Sequence, residues 1–331
     1  MAINRTGRTV FQEAVGVRQF GRNEPVSVHD QWHIGSNLKA MTALLYGRLV
    51  EQGRARWEAS VGDLFPDLKL DPSWKALLVE DLLSHRAGIK DSMYARGPFK
   101  NENWPHHMSL PKQRQMVAEL IFTRSASGVP GEYEYSNFGY ILVAAAIDRL
   151  ANQPYEQCLR QELIEPLKMN SVVFGPPQEL GQPWGHEYDS VSKSYAALDP
   201  WAPDSDNPPI DGPAGRYSMT LSDYARFIRL FLNEGGGFVS RQTYAKLTAP
   251  THSAGTPYSL GWLSSSPQGI WAPSRLLSHD GSNTFWFTHM VASPERGLAI
   301  IVAANAGSPN AVDACTYVRQ QLQTALLAYR G

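Results

Sequence analysis

Ser36-Asn37-Leu38-Lys39 stands where a glycine-led strand exit, His33-Ile34-Gly35, runs into the apolar-striped segment Met41 to Glu51. Leu38, Met41, Leu44, Leu45 and Leu49 recur at spacings of three and four, the pattern of a helix with a buried face, and Gly53 supplies the stop. A serine in the first turn of such a helix has its Oγ near the positive end of the helix dipole. A lysine three residues on lies on the same face, within reach of that oxygen. The pair reads as a nucleophile carrying its own base.

Spacing alone is weak. The 331 residues include 28 serines and 9 lysines, so roughly 0.8 S-x-x-K matches are expected by chance. Three occur: Ser36/Lys39, Ser109/Lys112 and Ser190/Lys193. Ser190 lies in the polar stretch Glu187 to Tyr195, with no helix-period apolar run after it. Ser109 precedes Pro111 and a short helix, where an N-cap role suffices. Only Ser36 leads a helix patterned for burial.

Two further clusters lie downstream. Tyr135-Ser136-Asn137 follows the turn Pro130-Gly131 and opens the apolar helix Tyr140 to Leu150; capping by Asn137 and core burial of Tyr135 are the plainer alternatives. His279-Asp280-Gly281-Ser282 leads into the strand-like run Thr284 to Thr288, and a residue without a side chain at 281 lets a substrate lie close to the strand edge.

In this order, Ser-x-x-Lys, Tyr-Ser-Asn and His-x-Gly resemble the three active-site motifs of penicillin-recognising serine hydrolases. The nearest branch is that of class C β-lactamases and D-alanyl-D-alanine carboxypeptidases, with their esterase and D-aminopeptidase relatives. The separation of 99 positions from Ser36 to Tyr135 leaves room for the helical insertion of that fold. Leu82-Leu83-Ser84-His85-Arg86-Ala87-Gly88-Ile89 is similar to the family's "LLSHTSGL" segment, and Glu165 to Met169 to its "PLGM". Gly212 to Gly215 with Asp223 to Phe227 matches "AGG…DLARF", and Pro294 to Gly297 into Leu298 to Ala304 matches the closing hairpin strand.

The resemblance implies a β-lactamase-like α/β (α+β) fold: an antiparallel sheet flanked by helices plus a mostly helical subdomain. Residues 1–54 and 211–331 are expected to form the sheet-plus-helix part and 55–210 the helical part, in a single catalytic unit. Strands are expected at Val10 to Gln19, Phe285 to Ala292 and Leu298 to Ala304, with a covering helix at Ala311 to Leu327. Long loops are expected at Pro98 to Pro111 and Asp199 to Pro213, as pocket walls or lids.

It also implies acyl transfer through an ester on Ser36, with Lys39 and Tyr135 as candidate bases. A desolvated lysine sheds its proton more easily, and a neighbouring cation favours the phenolate of Tyr135. Asn137 is expected to orient Lys39 and hold the substrate's acyl-side carbonyl. The backbone N–H groups of Ser36 and Ser282 are expected to form the oxyanion hole.

Departures from the family pattern narrow the substrate. His279-Asp280-Gly281 replaces the Lys-Thr-Gly of β-lactamases, removing a fixed cation for a β-lactam carboxylate; His279 is expected to be largely neutral near pH 7 and to gain a proton below pH 6. Alternation along a strand points Asp280 away from the pocket. Asn283 to Trp286 follows Ser282 where relatives carry small residues. Arg216 stands where they often carry glycine, either as a surface arginine or as a carboxylate ligand. A small-ester carboxylesterase is therefore the leading reading. The alternatives are a D-amino-acid peptidase or amidase or a penicillin-binding DD-peptidase, a weak β-lactamase, and a catalytically silent scaffold on the same fold.

Composition agrees. A hydrophobic content of 43% supports a large core, and a net charge of −1 argues against a nucleic-acid partner or a polybasic membrane anchor. No run approaches the ~18 apolar residues of a membrane span. Cys158 and Cys315 read as free buried thiols, and the histidines offer no metal spacing, so neither metal nor cofactor is expected. Met1 to Thr9 lacks the apolar stretch of an intact signal peptide, which leaves a cytoplasmic protein or a trimmed periplasmic or secreted one. Oligomeric state leaves no mark in the sequence.

Overall fold

Both ends of the chain build one antiparallel sheet. The computed structural model describes residues 1–92, 106–251, 255–267 and 269–329. Its six-stranded sheet uses β1 (Ala2–Asn4) and β2 (Thr9–Phe11) from the N-terminus and β8 (Leu263–Ser265), β9 (Leu276–Ser282), β10 (Phe287–Ser293) and β11 (Leu298–Ala304) from the C-terminus, in the order β2-β1-β11-β10-β9-β8. Alternation along the strands gives the sheet two apolar faces. Ala2, Val291, Leu298 and Ile300 pack with Leu322 and Leu326 at the C-terminal helix α10 (Pro309–Ala325). Ile3, Met290, Ala299 and Ile301 join the main core with Phe227, Ile228 and Phe231 of α8 (Leu221–Leu232).

That main core extends through α1 (Leu38–Glu51), α4 (Leu110–Phe122) and α5 (Asn137–Ala151). Between α1 and α4 lie two short helices, α2 (Val61–Leu64) and α3 (Val79–Leu83). After α5 come α6 (Tyr155–Leu159) and the hairpin β5 (His186–Asp189) and β6 (Ser194–Ala197); a small sheet in the order β3-β7-β4 joins Gln31–His33, from before α1, to Tyr217–Thr220 and Val173–Phe174. A one-turn helix, α7 (Gly212–Gly215), precedes β7, and α9 (Arg241–Thr248) follows α8. No helix among the described residues is long and apolar enough to cross a membrane.

Several expected elements shift. The strand expected over Val10 to Gln19 is only Thr9–Phe11: Val15 is exposed, Gly16 takes φ +108°, and Arg18 N–H closes a loop onto Glu24 O. The strand that enters the sheet beside β11 is Ala2–Asn4, which the sequence reading missed. The run Thr284 to Thr288 is mostly turn, with Thr284 at φ +75°, so β10 starts at Phe287. The expected helix over Tyr140 to Leu150 begins at Asn137. The segment 55–210 also holds strands, at Val173–Phe174 and in the 186–197 hairpin. Most of the loop expected over Pro98 to Pro111 lies outside the described residues; from Leu110 the chain is helical. Asp199 to Pro213 is turn-rich until the 3-10 turn Pro209–Asp211 leads into α7.

Helix α1 departs most from its pattern. A single apolar stripe is expected to leave a solvated face, yet every residue from Leu38 to Gly47 is buried, Lys39 and Thr42 among them. The polar face is covered by α7: Thr42 Oγ1 donates to Pro213 O at 2.7 Å and lies 2.7 Å from Tyr155 Oη.

Candidate active site

The turn that carries Ser36 is forced into shape by its neighbours. After β3 ends at His33, Gly35 takes φ +50° and a 3-10 turn (Gly35–Asn37) leads directly into α1. A Cβ on Gly35 would lie 2.5 Å from Ser282 N, and one on Gly281 would lie 1.9 Å from Ile34 O. Strand β9 thus runs in backbone contact with the turn, and only glycine fits at either crossing. The Asn37 amide fastens the arrangement, donating to Ile34 O and Thr288 O at 2.9 Å each while its Oδ1 accepts from Tyr224 Oη at 3.0 Å. No side chain caps α1 through Ser36 or Asn37.

Lys39 is fully buried, and its ammonium nitrogen has three partners: Ser36 Oγ at 3.0 Å, Asn137 Oδ1 at 2.7 Å and Ala214 O at 2.8 Å. Burial lowers its pKa to about 7, against the opposing pull of Asp91 and Asp211. Two of the three partners are oxygens that can only accept. When Lys39 is neutral its two N–H bonds satisfy them, and its lone pair is left facing the one partner that can donate, the Ser36 hydroxyl.

Tyr135 lies beside this pair, with its ring centroid 4.9 Å from Lys39 Nζ. It keeps 38% of its surface open, yet its hydroxyl end is enclosed. Burial raises the phenol well above its ordinary range, and the Ser36 hydroxyl only partly offsets that. The expectation that a neighbouring cation favours the phenolate is therefore overturned: near neutrality Lys39 has lost much of its charge and desolvation dominates.

Asn137 opens α5, its backbone N–H bonded to Asp91 Oδ2 at 2.8 Å, while Ser136 Oγ donates to Asp91 Oδ1. His85 holds the same segment from the other side. Its Nδ1 accepts the Ser136 N–H at 3.1 Å and its ring lies 4.2 Å from that of Tyr135, on a backbone at φ +61°. Its pKa is held well below the imidazole value by burial and by Lys39, so it packs as a neutral ring.

His279 does not present its imidazole as a substrate grip. It is 5% exposed, with Nε2 2.8 Å from Tyr258 Oη and Nδ1 2.8 Å from Asp280 O. The carbonyl requires the ring proton on Nδ1, so Nε2 accepts from the tyrosine and no donor is left over. Burial lowers its pKa to about 4, helped by Lys39, which replaces the expected protonation below pH 6. Asp280 points to the opposite face, paired with His289. Ser282 Oγ donates to Trp286 O at 2.7 Å within the β9–β10 turn, which leaves the backbone N–H as what Ser282 offers toward Ser36.

Arg216 is neither a surface residue nor a lone cation. Its Nε bonds Asn207 O at 2.7 Å and lies 3.5 Å from Asp206 Oδ2, and the guanidinium sits over the Phe174 ring. The competing serines lie elsewhere: Ser109 at the N-cap of α4 and Ser190 at the tip of the β5–β6 hairpin. Both cysteines are free and buried. Among the described residues no three His, Cys, Asp or Glu side chains are grouped to hold a metal.

The sequence reading missed Asp211, which ends the 3-10 turn and stands at the N-cap position of α7. Its carboxyl is pushed up to about 7 by burial and by Asp91, against the pull of Lys39. It also passed over His85 as a site residue, although the Leu82 to Ile89 segment that holds it was among the matches. The arrangement as a whole sets a hydroxyl against a buried amine whose pKa is lowered to about 7, beside the abutting backbone of two segments, with carboxyl groups on the α5 and α7 side.

A family model described as Beta-lactamase matches residues 1–324. Among characterised proteins, unguisins hydrolase ungD' of Aspergillus campestris is 26% identical over 320 residues; the match covers 90% of this chain and 57% of the relative, so the chain spans little more than half that protein's length. Among solved structures, an octameric penicillin-binding protein homologue from Pyrococcus abyssi superposes with a TM-score of 0.76 at 23% identity, covering 97% of this chain and 72% of the other. A D-amino acid amidase from Ochrobactrum anthropi SV3 does so with a TM-score of 0.75 at 20% identity, covering 96% and 89%.

Proposed function

Because the chain belongs to the beta-lactamase family of serine hydrolases, we propose that it cleaves small esters, and amides of similar size, through an acyl-enzyme on Ser36. The observation that carries this reading is the Lys39 amine, its pKa lowered to about 7 and its lone pair turned to the Ser36 hydroxyl 3.0 Å away. A general base works best when its pKa lies near the working pH.

In the proposed reaction Ser36 Oγ attacks the carbonyl carbon as its proton passes to Lys39 Nζ. The backbone N–H groups of Ser36 and Ser282 receive the oxyanion. Collapse breaks the bond to the leaving group, which takes the proton back from Lys39. Water repeats the sequence on the acyl-enzyme, releasing the acid and restoring Ser36. Tyr135, its phenol held protonated, serves as a hydrogen-bond donor and proton relay to the leaving atom. Asn137 keeps Lys39 in place and offers its amide to the acyl side of the substrate.

Charge shapes the substrate. Arg216 is offset by Asp206, His279 is neutral with both nitrogens engaged, and Lys39 is half-neutral at pH 7. Asp91 adds negative charge beside Lys39, and so does Asp211 to the extent that its raised carboxyl is ionised. A substrate carboxylate, such as that of a β-lactam, is disfavoured in this environment. A second reading, hydrolysis of D-amino-acid amides or peptides, is favoured by the same two carboxylates, which suit a substrate ammonium group, and by the fold likeness to a D-amino acid amidase. A panel of p-nitrophenyl esters, D-amino-acid p-nitroanilides and nitrocefin, run on wild type and Ser36→Ala, tests both. Turnover of esters or amine-bearing anilides that vanishes in Ser36→Ala is expected. Nitrocefin turnover with a kcat/KM above that of p-nitrophenyl butyrate would reverse the assignment.

A further inference from the structure

Two residues that depart from the family pattern, Asn283 and Arg216, meet at one buried carboxylate. Asp206 has a side chain 1% exposed, in the turn-rich segment that leads to α7. Its Oδ2 lies 3.2 Å from His33 Nε2 and 3.5 Å from Arg216 Nε, and its Oδ1 accepts from Asn283 Nδ2 at 2.8 Å and from the Asn207 N–H at 2.7 Å.

Each arm of this hub ends on a backbone segment beside Ser36. His33 is fully buried, and its Nδ1 accepts the Gly35 N–H at 3.2 Å. That contact places the ring proton on Nε2, facing Asp206. On the other arm the Asn283 amide gives its Nδ2 to Asp206 and accepts at Oδ1 from the Phe285 and Trp286 N–H groups, at 3.2 and 3.0 Å. Asn283 therefore folds the turn that follows Ser282. We propose that Asp206 is a positioning residue that clamps the Gly35–Ser36 turn to the Ser282–Asn283 turn, holding the two oxyanion donors at a fixed separation, with Arg216 as its counter-ion rather than a substrate ligand. The proposal rests on the oxyanion role given above to Ser36 and Ser282.

The chemistry supports a carboxylate at this position. Burial alone would raise the carboxyl's pKa, but His33, Asn283 and Arg216 outweigh it and hold it below the ordinary value. The substitution Asp206→Asn cannot be made without loss, because both facing groups are donors. A carboxamide turned with its NH2 to His33 would need the ring proton moved to Nδ1, opposite the Gly35 N–H. Turned the other way, it would force Asn283 to flip and oppose the N–H groups of Phe285 and Trp286. One arm breaks in either case.

The experiment compares wild type, Asp206→Asn and Asn283→Ala on a neutral p-nitrophenyl ester. Sites are counted by fluorophosphonate titration, and the affinity of a boronic acid transition-state analogue is measured alongside. Misplacing a catalytic donor by a fraction of an ångström is costly, so kcat per titrated site is expected to fall about 10- to 100-fold with KM within about twofold. Boronate affinity should weaken by the same factor. The lesion in Asn283→Ala leaves His33 and Asp206 in place, so it reads one arm even where Asp206→Asn folds poorly. Unchanged kcat per site in both variants, or a fall in kcat with boronate affinity intact, overturns the clamp. A wild type with no Ser36-dependent turnover would instead refute the hydrolase reading on which the clamp rests.

Discussion

Protonating Lys39 should switch the enzyme off, and the structure sets where. With a pKa of about 7, the neutral fraction is about 0.9 at pH 8 and about 0.01 at pH 5, so kcat/KM for a neutral ester should fall roughly ninety-fold across that interval. The limb should approach a slope of one below its midpoint and a plateau above about pH 8. An unperturbed lysine would give no plateau there. His279 and His85 do not confound the limb, because burial lowers the first to about 4 and holds the second well below its ordinary value. Asp211 does, since it too titrates about 7. The Asp211→Asn variant separates them: losing a carboxylate that raises the lysine's pKa moves a Lys39 limb to lower pH but abolishes an Asp211 limb. The assay is initial-rate hydrolysis of p-nitrophenyl butyrate from about pH 4.5 to 9.5, with protein shown folded at each pH. A flat profile, or a limb missing from Asp211→Asn, refutes Lys39 as the base.

Four other expectations follow. A fluorophosphonate should label Ser36, whose lysine lies 3.0 Å away with its pKa lowered to about 7; an adduct mapped by mass spectrometry to Ser109 or Ser190 would exclude it. Nitrocefin turnover should stay weak at pH 7 and gain nothing near pH 6, because His279 remains neutral until about pH 4; a rise near pH 6 would count against the buried, internally bonded ring. Asp211→Asn should raise KM for a D-amino-acid p-nitroanilide about 10-fold or more, the cost of one charge-assisted hydrogen bond, while KM for a neutral ester holds; equal effects on both substrates would remove the ammonium reading. Arg114→Met should cost about 3 kcal/mol in urea unfolding, because it strands Asp148 and Glu156, both gripped by the buried guanidinium; a loss under 1 kcal/mol would show that the pair relaxes into solvent.

What the sequence disclosed was the contiguous part of the site. Ser36 and Lys39 share a helix turn, and Tyr135 and Asn137 straddle one residue, so their juxtaposition is written in spacing. The burial of Lys39 was not, because the polar face of α1 is covered by Gly212–Gly215 and by Asn137, some hundred residues or more away. Asp206, His33 and Asn283 escaped for the same reason: each comes from a different segment and none forms a motif alone. Ala2–Asn4 escaped because three residues are too few to show alternation. Thr284 to Phe285 misled because β-prone residues fill a turn whose shape is set by Asn283 rather than by propensity.

The preference for esters over β-lactams and the strength of the base have one source in the proposed mechanism. Burial drives the Lys39 pKa down, and unopposed it would leave an amine too weakly basic to hold the serine proton. Asp91 and Asp211 pull it back, to about 7. The same two carboxyl groups, Asp211 in its ionised fraction, repel any carboxylate brought near Ser36, and His279 has no free donor to compensate. A lysine in place of His279 would restore a grip on β-lactams, but a cation there would push the Lys39 pKa down further, just as that residue is already lowered by burial. Recovering β-lactam hydrolysis in this chain therefore calls for a change at the third motif together with a new setting of the charges around Lys39; the single substitution should trade ester turnover for β-lactam binding without gaining both.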